Sequence, residues 1–181
     1  MVKLAISSIG KDQSGIVGAF TKVLYDYECN IEDASMTILC NQFSMILVIS
    51  GPDSLDIEQF KDTLKEAGKN FALRTSINEL DNNNGEHEAK NDSLPYMICV
   101  SGTDQKGIAY RITELLAKYK VNIADFNSKL IGKSTNPVYV MMLETEIPAE
   151  VNFDELKADL NKIAVEMDLD INVNEIECCD L

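Results

Sequence analysis

Seven residues of this chain have the types and spacing to hold an anion, and they occur twice. Gly10-Lys11-Asp12-Gln13-Ser14-Gly15-Ile16 returns, 92 residues later, as Gly102-Thr103-Asp104-Gln105-Lys106-Gly107-Ile108. Each run follows a short apolar stretch and opens a segment of helical periodicity, so each is predicted to be a strand-to-helix turn. There Gly10, Gly15, Gly102 and Gly107 allow backbone angles or close approaches that a Cβ forbids. The unpaired N–H groups of the helix's first turn, reinforced by the macrodipole, suit a carboxylate or a phosphate. Asp12 and Asp104 are short acceptors, and holding amides of the turn is the reading favoured for them over touching a ligand. Three residues past each helical stripe comes the pair Asn-Ile, as Asn30-Ile31 and Asn122-Ile123. An ammonium could meet the side-chain oxygen of Asn30 or Asn122, strand carbonyls, or Asp12 and Asp104. The plain alternative for both asparagines is a helix-to-strand turn.

Other chemistries find little support. The only histidine, His87, falls in a polar stretch away from both runs, which leaves Ser/His and Cys/His nucleophile schemes without a base. Neither a Gly-x-x-x-x-Gly-Lys phosphate loop nor a carboxylate-rich metal constellation occurs, so no catalysis, metal or cofactor is expected. The five cysteines, Cys29, Cys40, Cys99, Cys178 and Cys179, are odd in number and lack Cys-x-x-Cys spacing. Reduced thiols are the expected state. The formal charge is −14, with 16 Lys and Arg scattered among 30 acids. That field repels nucleic-acid phosphates, and no direct nucleic-acid contact is expected. With no signal peptide before Leu4 and no bilayer-length apolar run, the reading is cytoplasmic, with no membrane contact.

The elements that position these residues follow from periodicity. Ile16, Phe20, Val23, Leu24 and Tyr27 form one helical stripe, and Ile108, Ile112, Leu115, Leu116 and Tyr119 form its copy. Strands are predicted over 2–9, 31–40, 43–50 and 71–77, with Asn41-Gln42 turning the chain between the second and third. In the second of these, Ala34, Met36, Ile38 and Cys40 share one face. The third is apolar at nearly every position, as in a strand inside a sheet with both faces at least partly covered. A second helix opens on Asp56 and Gln59 at capping-box spacing and ends at Gly68. The same order recurs over 95–101, 107–119, 123–132, 138–145, 153–167 and 170–177, with Asn152 and Glu155 as the matching cap. Two βαββαβ runs imply an α+β chain of two ferredoxin-like domains with antiparallel sheets. The boundaries read as a first domain at 1–79, a linker at 80–93, a second domain at 94–177 and a tail at 178–181. Apolar strands that two helices cannot cover imply pairing of domains within and between chains, and hence a homo-oligomer such as a dimer.

On Gly10-x-Asp12-x-x-Gly15-Ile16 with Asn30-Ile31, and Gly102-x-Asp104-x-x-Gly107-Ile108 with Asn122-Ile123, the chain resembles tandem ACT-domain proteins. It is most similar to the glycine cleavage system transcriptional repressor group, a likeness that includes Cys29-Asn30-Ile31-Glu32-Asp33. Where many relatives carry Arg-Pro inside the motif, this chain has Gln13-Ser14 and Gln105-Lys106. The resemblance implies a non-catalytic regulator that binds a small amino acid, such as glycine or serine, at an interface between two copies of the domain. The loops and the Asn-Ile strand starts would supply the contacts: Gly10, Asp12, Gln13, Gly15, Ile16, Asn30 and Ile31 in one repeat. Gly102, Asp104, Gln105, Gly107, Ile108, Asn122 and Ile123 are their counterparts in the other. It also implies a protein partner, such as a transcription activator, and a role in transcriptional control of glycine cleavage. An ACT-fold interaction module without an effector is the alternative.

Overall fold

The computed structural model describes residues 1–80, 93–132 and 137–176. His87, Cys178, Cys179, linker residues 81–92 and tail residues 178–181 lie outside the described residues, as do residues 133–136 of the second hairpin loop. The chain divides into two compact units, Met1–His87 and Glu88–Leu181. The first runs β1 (Val2–Lys11), α1 (Ile16–Asp26), β2 (Asn30–Leu39), β3 (Gln42–Gly51), α2 (Ile57–Lys69) and β4 (Arg74–Leu80). The second runs β5 (Ser93–Thr103), α3 (Ile108–Lys118), β6 (Asn122–Ile131), β7 (Val138–Pro148), α4 (Phe153–Glu166) and β8 (Leu169–Glu175). Each unit is a four-stranded antiparallel sheet, ordered β2-β3-β1-β4 and β6-β7-β5-β8. These are the two ferredoxin-like α+β folds that the order of elements implies.

The helical stripes make the cores. Ile16, Phe20, Val23 and Leu24 of α1 are buried against Leu4 and Ile6 of β1, Phe43, Met45, Leu47 and Ile49 of β3, and Phe60 and Leu64 of α2. Ile108, Ile112 and Leu116 of α3 repeat the arrangement against Ile98, Val100, Met141, Leu143, Leu156 and Leu160. Each such side chain removed from water contributes about 1.5–3 kcal/mol before the entropy of ordering it is counted. The second helix of each unit begins as its cap spacing predicts. Asp56 Oδ1 accepts from the Gln59 N–H at 3.0 Å, and Asn152 Oδ1 from the Glu155 N–H at 3.4 Å.

Several local expectations are corrected. Gly10 and Gly102 belong to β1 and β5 rather than to the turn, in register with Phe43 and Tyr139. The first hairpin turns at Cys40 and Asn41, both at positive φ (48° and 61°), and Gln42 already pairs in β3. Two consecutive left-handed residues match the right-handed twist of the flanking strands. Gly68 does not cap α2 but lies inside its last turn, where a Cβ would stand 2.4 Å from Thr75 Oγ1. β3, by contrast, lies inside the sheet as expected, its helix-side face buried and its other face partly covered, from buried Ser50 through half-buried Val48 and Ser44 to Ile46 at 53% exposed. Finally, β2 alternates in sequence but is exposed at every residue, because it is the sheet edge lying outside the helix layer.

Candidate functional site

The two loops are built alike. Gly15 and Gly107 are the N-caps of α1 and α3, at φ 95° and 97°, and neither helix has a side-chain cap. A Cβ at Gly15 would meet nothing closer than 3.8 Å, so what requires glycine there is the left-handed backbone, not crowding. The first intrahelical bonds run from the Ala19 N–H to the Gly15 carbonyl and from the Arg111 N–H to the Gly107 carbonyl. The N–H groups of Ile16, Val17 and Gly18, and of Ile108, Ala109 and Tyr110, therefore have no hydrogen-bond partner among the described residues. They open beside residues 11–15 and 103–107, all of them exposed.

Side-chain amides, rather than carboxylates, hold the loops in place. Gln13 Nε2 donates to the Phe71 carbonyl at 2.9 Å, and Gln105 Nε2 to the Met167 carbonyl at 2.5 Å. Each bond ties the loop to the turn that follows the second helix of its unit. The Asp12 N–H adds a bond to the Asn41 carbonyl at 2.9 Å, and the Asp104 N–H one to the Pro137 carbonyl at 3.4 Å. The carboxylates of Asp12 and Asp104 have no hydrogen-bond partner among the described residues, so the turn-capping role favoured from sequence is not the one seen. Gly10 and Gly102 allow close packing under the loop. A Cβ at Gly10 would lie 2.7 Å from Leu73 Cδ2, and one at Gly102 would lie 2.6 Å from Leu169 Cδ2.

The Asn-Ile pairs stand elsewhere. Asn30 opens β2 in register with Ser50, whereas Lys11, at the loop end of β1, is in register with Gln42. Eight residues of β3 separate the two levels, about 26 Å at roughly 3.3 Å per residue. The second unit has the same separation, with Asn122 opposite Glu146 and Thr103 opposite Val138. No single unit brings its loop and its strand start together. Neither asparagine makes the helix-to-strand turn, since the left-handed residues there are Glu28 (φ 56°) and Lys120 (φ 57°).

Periodicity gave no warning of the contacts around the strand starts. A bulge between Ile31 and Asp33 leaves Glu32 out of register. Its carboxylate meets Lys3 Nζ at 3.0 Å. The hydrogen bond from Lys3, then that from Ser50, hold the Glu32 carboxyl below the usual carboxylate range. In the second unit Asn122 Nδ2 donates to Glu146 Oε2 at 3.1 Å. The repeated Gln was the one signal of loop anchoring visible in sequence, since it recurs one residue after the motif Asp in both copies.

Known proteins resemble the chain in sequence and in fold. The ACT domain family profile matches residues 3–78 and 95–174. A UPF0237 protein of Methanocaldococcus jannaschii is 33% identical over 82 residues, which are 45% of this chain and 91% of that protein. A UPF0237 protein of Pyrobaculum aerophilum is 32% identical over 77 residues, 42% of this chain and 86% of that one. The crystal structure of an unknown protein from Galdieria sulphuraria superposes with a TM-score of 0.83 at 22% identity, covering 97% of this chain and 99% of that chain. The structure of a protein assigned as a glycine cleavage system transcriptional repressor gives 0.68 at 20% identity, covering 98% of each. At these identities the two structures speak for the fold alone. With the Gly-x-Asp-x-x-Gly-Ile loop in each of two βαββαβ units and the family profile spanning both, the chain belongs to the ACT-domain family, of which it carries two repeats.

Proposed function

We propose that this protein is a non-catalytic, amino-acid-responsive regulator of the cytoplasm. Its two repeats would bind a small amino acid such as glycine or serine and pass that state to a protein partner. A transcription activator, in the control of glycine cleavage, is the partner that the likeness to the repressor group suggests. The observation that carries the reading is the uncapped first turn of α1 and of α3, each with three amides that have no partner among the described residues, at an exposed loop. Such a turn takes a carboxylate.

The distance between loop and strand start supports a site shared between two copies. Two copies of β2 paired edge to edge across a two-fold axis run antiparallel, so full overlap sets Asn30 of one copy beside Leu39 of the other. Leu39 lies two residues before Asn41, whose carbonyl holds the Asp12 N–H. Pairing between copies thus completes at each end what one repeat lacks: an anion-binding loop and, facing it, an Asn-Ile strand start.

A thermal-shift screen of the twenty amino acids tests the reading. A ligand at about a hundredfold its Kd stabilises by about 2.7 kcal/mol. For a chain of this size that is roughly 5–10 °C in Tm. A flat response to all twenty would overturn effector binding and leave the second reading, an ACT-fold interaction module. The exposed β2 edge favours that alternative, since its Met36 and Ile38 are 52% and 48% exposed.

A further inference from the structure

The two strand starts occupy the same place in their sheets and differ in charge. In the first unit Asn30 stands opposite Ser50, and its side-chain amide has no partner among the described residues. A carboxylate is nearby, Glu32, but Lys3 neutralises it at 3.0 Å. In the second unit the position of Ser50 is taken by Glu146, and Asn122 Nδ2 is already given to its Oε2 at 3.1 Å. The residue in register with Ser50 on β1 is Lys3, whereas the residue in register with Glu146 on β5 is Pro95. No lysine, arginine or histidine among the described residues forms an ion pair with Glu146.

We propose that Glu146 is the specificity-determining residue of the second repeat, receiving the α-ammonium group of a bound amino acid. The inference rests on the amino-acid-binding reading above. A half-buried carboxylate with no cation of its own among the described residues makes charge-assisted hydrogen bonds to an ammonium and weaker ones to a hydroxyl. Donation of its Nδ2 to Glu146 also fixes the Asn122 amide and leaves Oδ1 as a second acceptor at the same spot. The first repeat offers a neutral acceptor, the Asn30 Oδ1, beside an ion pair that is already satisfied. The second repeat therefore selects amino acids over the matching 2-hydroxy acids, and the first discriminates less. The two repeats of one chain are not equivalent sensors.

The test uses the full-length, 15N-labelled protein, titrated with glycine against glycolate and with L-serine against L-glycerate. With β6 pairing to β6 between copies as β2 does to β2, the backbone amides of Ile16 and Val17 read the first repeat's site, and those of Ile108 and Ala109 read the second's. In the wild type the second loop should bind the amino acid at least about tenfold more tightly than its hydroxy-acid analogue, and the first loop should show a smaller ratio. Glu146→Gln keeps the shape and removes the charge, and Glu146→Ser copies the first repeat. Either should bring the second ratio down to the first while leaving the first loop's titration unchanged, and the dispersion of the same spectra reports folding. A second-loop ratio unmoved by Glu146→Gln overturns this inference and leaves amino-acid binding standing. Amides that stay still with all four probes in the wild type overturn both.

Discussion

The glycines in and around the loops carry two different constraints or none, and substitutions separate them. Gly15 needs its left-handed backbone, so Gly15→Val and Gly107→Val strain the chain by about 1–2 kcal/mol or more and should abolish any amino-acid-induced thermal shift at their own repeat. Gly10 and Gly102 need space instead. Ala at Gly102 would press on the Asp168 carbonyl at 3.0 Å, and Ala at Gly10 on the Ala72 carbonyl at 3.3 Å. Overpacking of this kind costs about 1–3 kcal/mol, with Gly102→Ala the costlier of the two by urea denaturation. Gly18 has neither constraint, since a Cβ there, inside α1, would find nothing within 4 Å. Gly18→Ala should therefore stabilise by about 0.5–1 kcal/mol through helix propensity. The motif's spacing identified the important glycines. It could not divide them by cause, because clearance depends on residues more than 60 positions away, such as Leu73 and Leu169.

At the scale of elements, the helices that follow the anion loops open differently from those that do not. α2 and α4 are capped by Asp56 and Asn152, whereas α1 and α3 leave their first turns open. Asp56→Ala should cost about 1 kcal/mol, and Asn152→Ala less, since its bond is the longer one; equilibrium denaturation of the full chain measures both. In the second unit the helices are joined through Asp159, which accepts from the Tyr119 hydroxyl at 2.9 Å and pairs with Lys162 at 2.7 Å. The bond from Lys162, then that from Tyr119, hold the Asp159 carboxyl below the usual range. A depressed folded value means the group stabilises at pH above its unfolded value, about 3.9, and loses that contribution as pH falls through the folded one. The Tm difference between wild type and Asp159→Asn should be greatest at neutral pH and disappear in acid, and added salt should reduce it. Both caps were legible as spacings. The Tyr119–Asp159 bond joins residues 40 apart, one at the end of α3 and one within α4, and was not.

For the whole molecule the open question is what covers β2. Paired in register with Phe43 and Met45, Ile38 and Met36 share the buried face of the sheet, yet each is about half exposed. Edges of this kind invite pairing. Met36→Lys and Ile38→Lys should weaken self-association at least tenfold in sedimentation across a concentration series, with little change in the fold of the unit. A monomer at micromolar concentration in the wild type would count against pairing between copies. Among the described residues no helix is long and apolar enough to cross a membrane.

The duplication, the order of elements and the loop that opens each first helix were determined by sequence alone. Each depends on local spacing: a 3.6-residue stripe, a two-residue alternation, glycines at fixed distances. Tertiary structure decided what local spacing cannot encode. It left β2 outside the helix layer despite its alternation, and it set the asparagines of each repeat about eight strand residues from that repeat's own loop. It also gave Lys3 to Glu32 in one repeat and Pro95 to Glu146 in the other. Those outcomes follow from which strand lies beside which and in what register, and register is set by contacts among residues far apart in the chain.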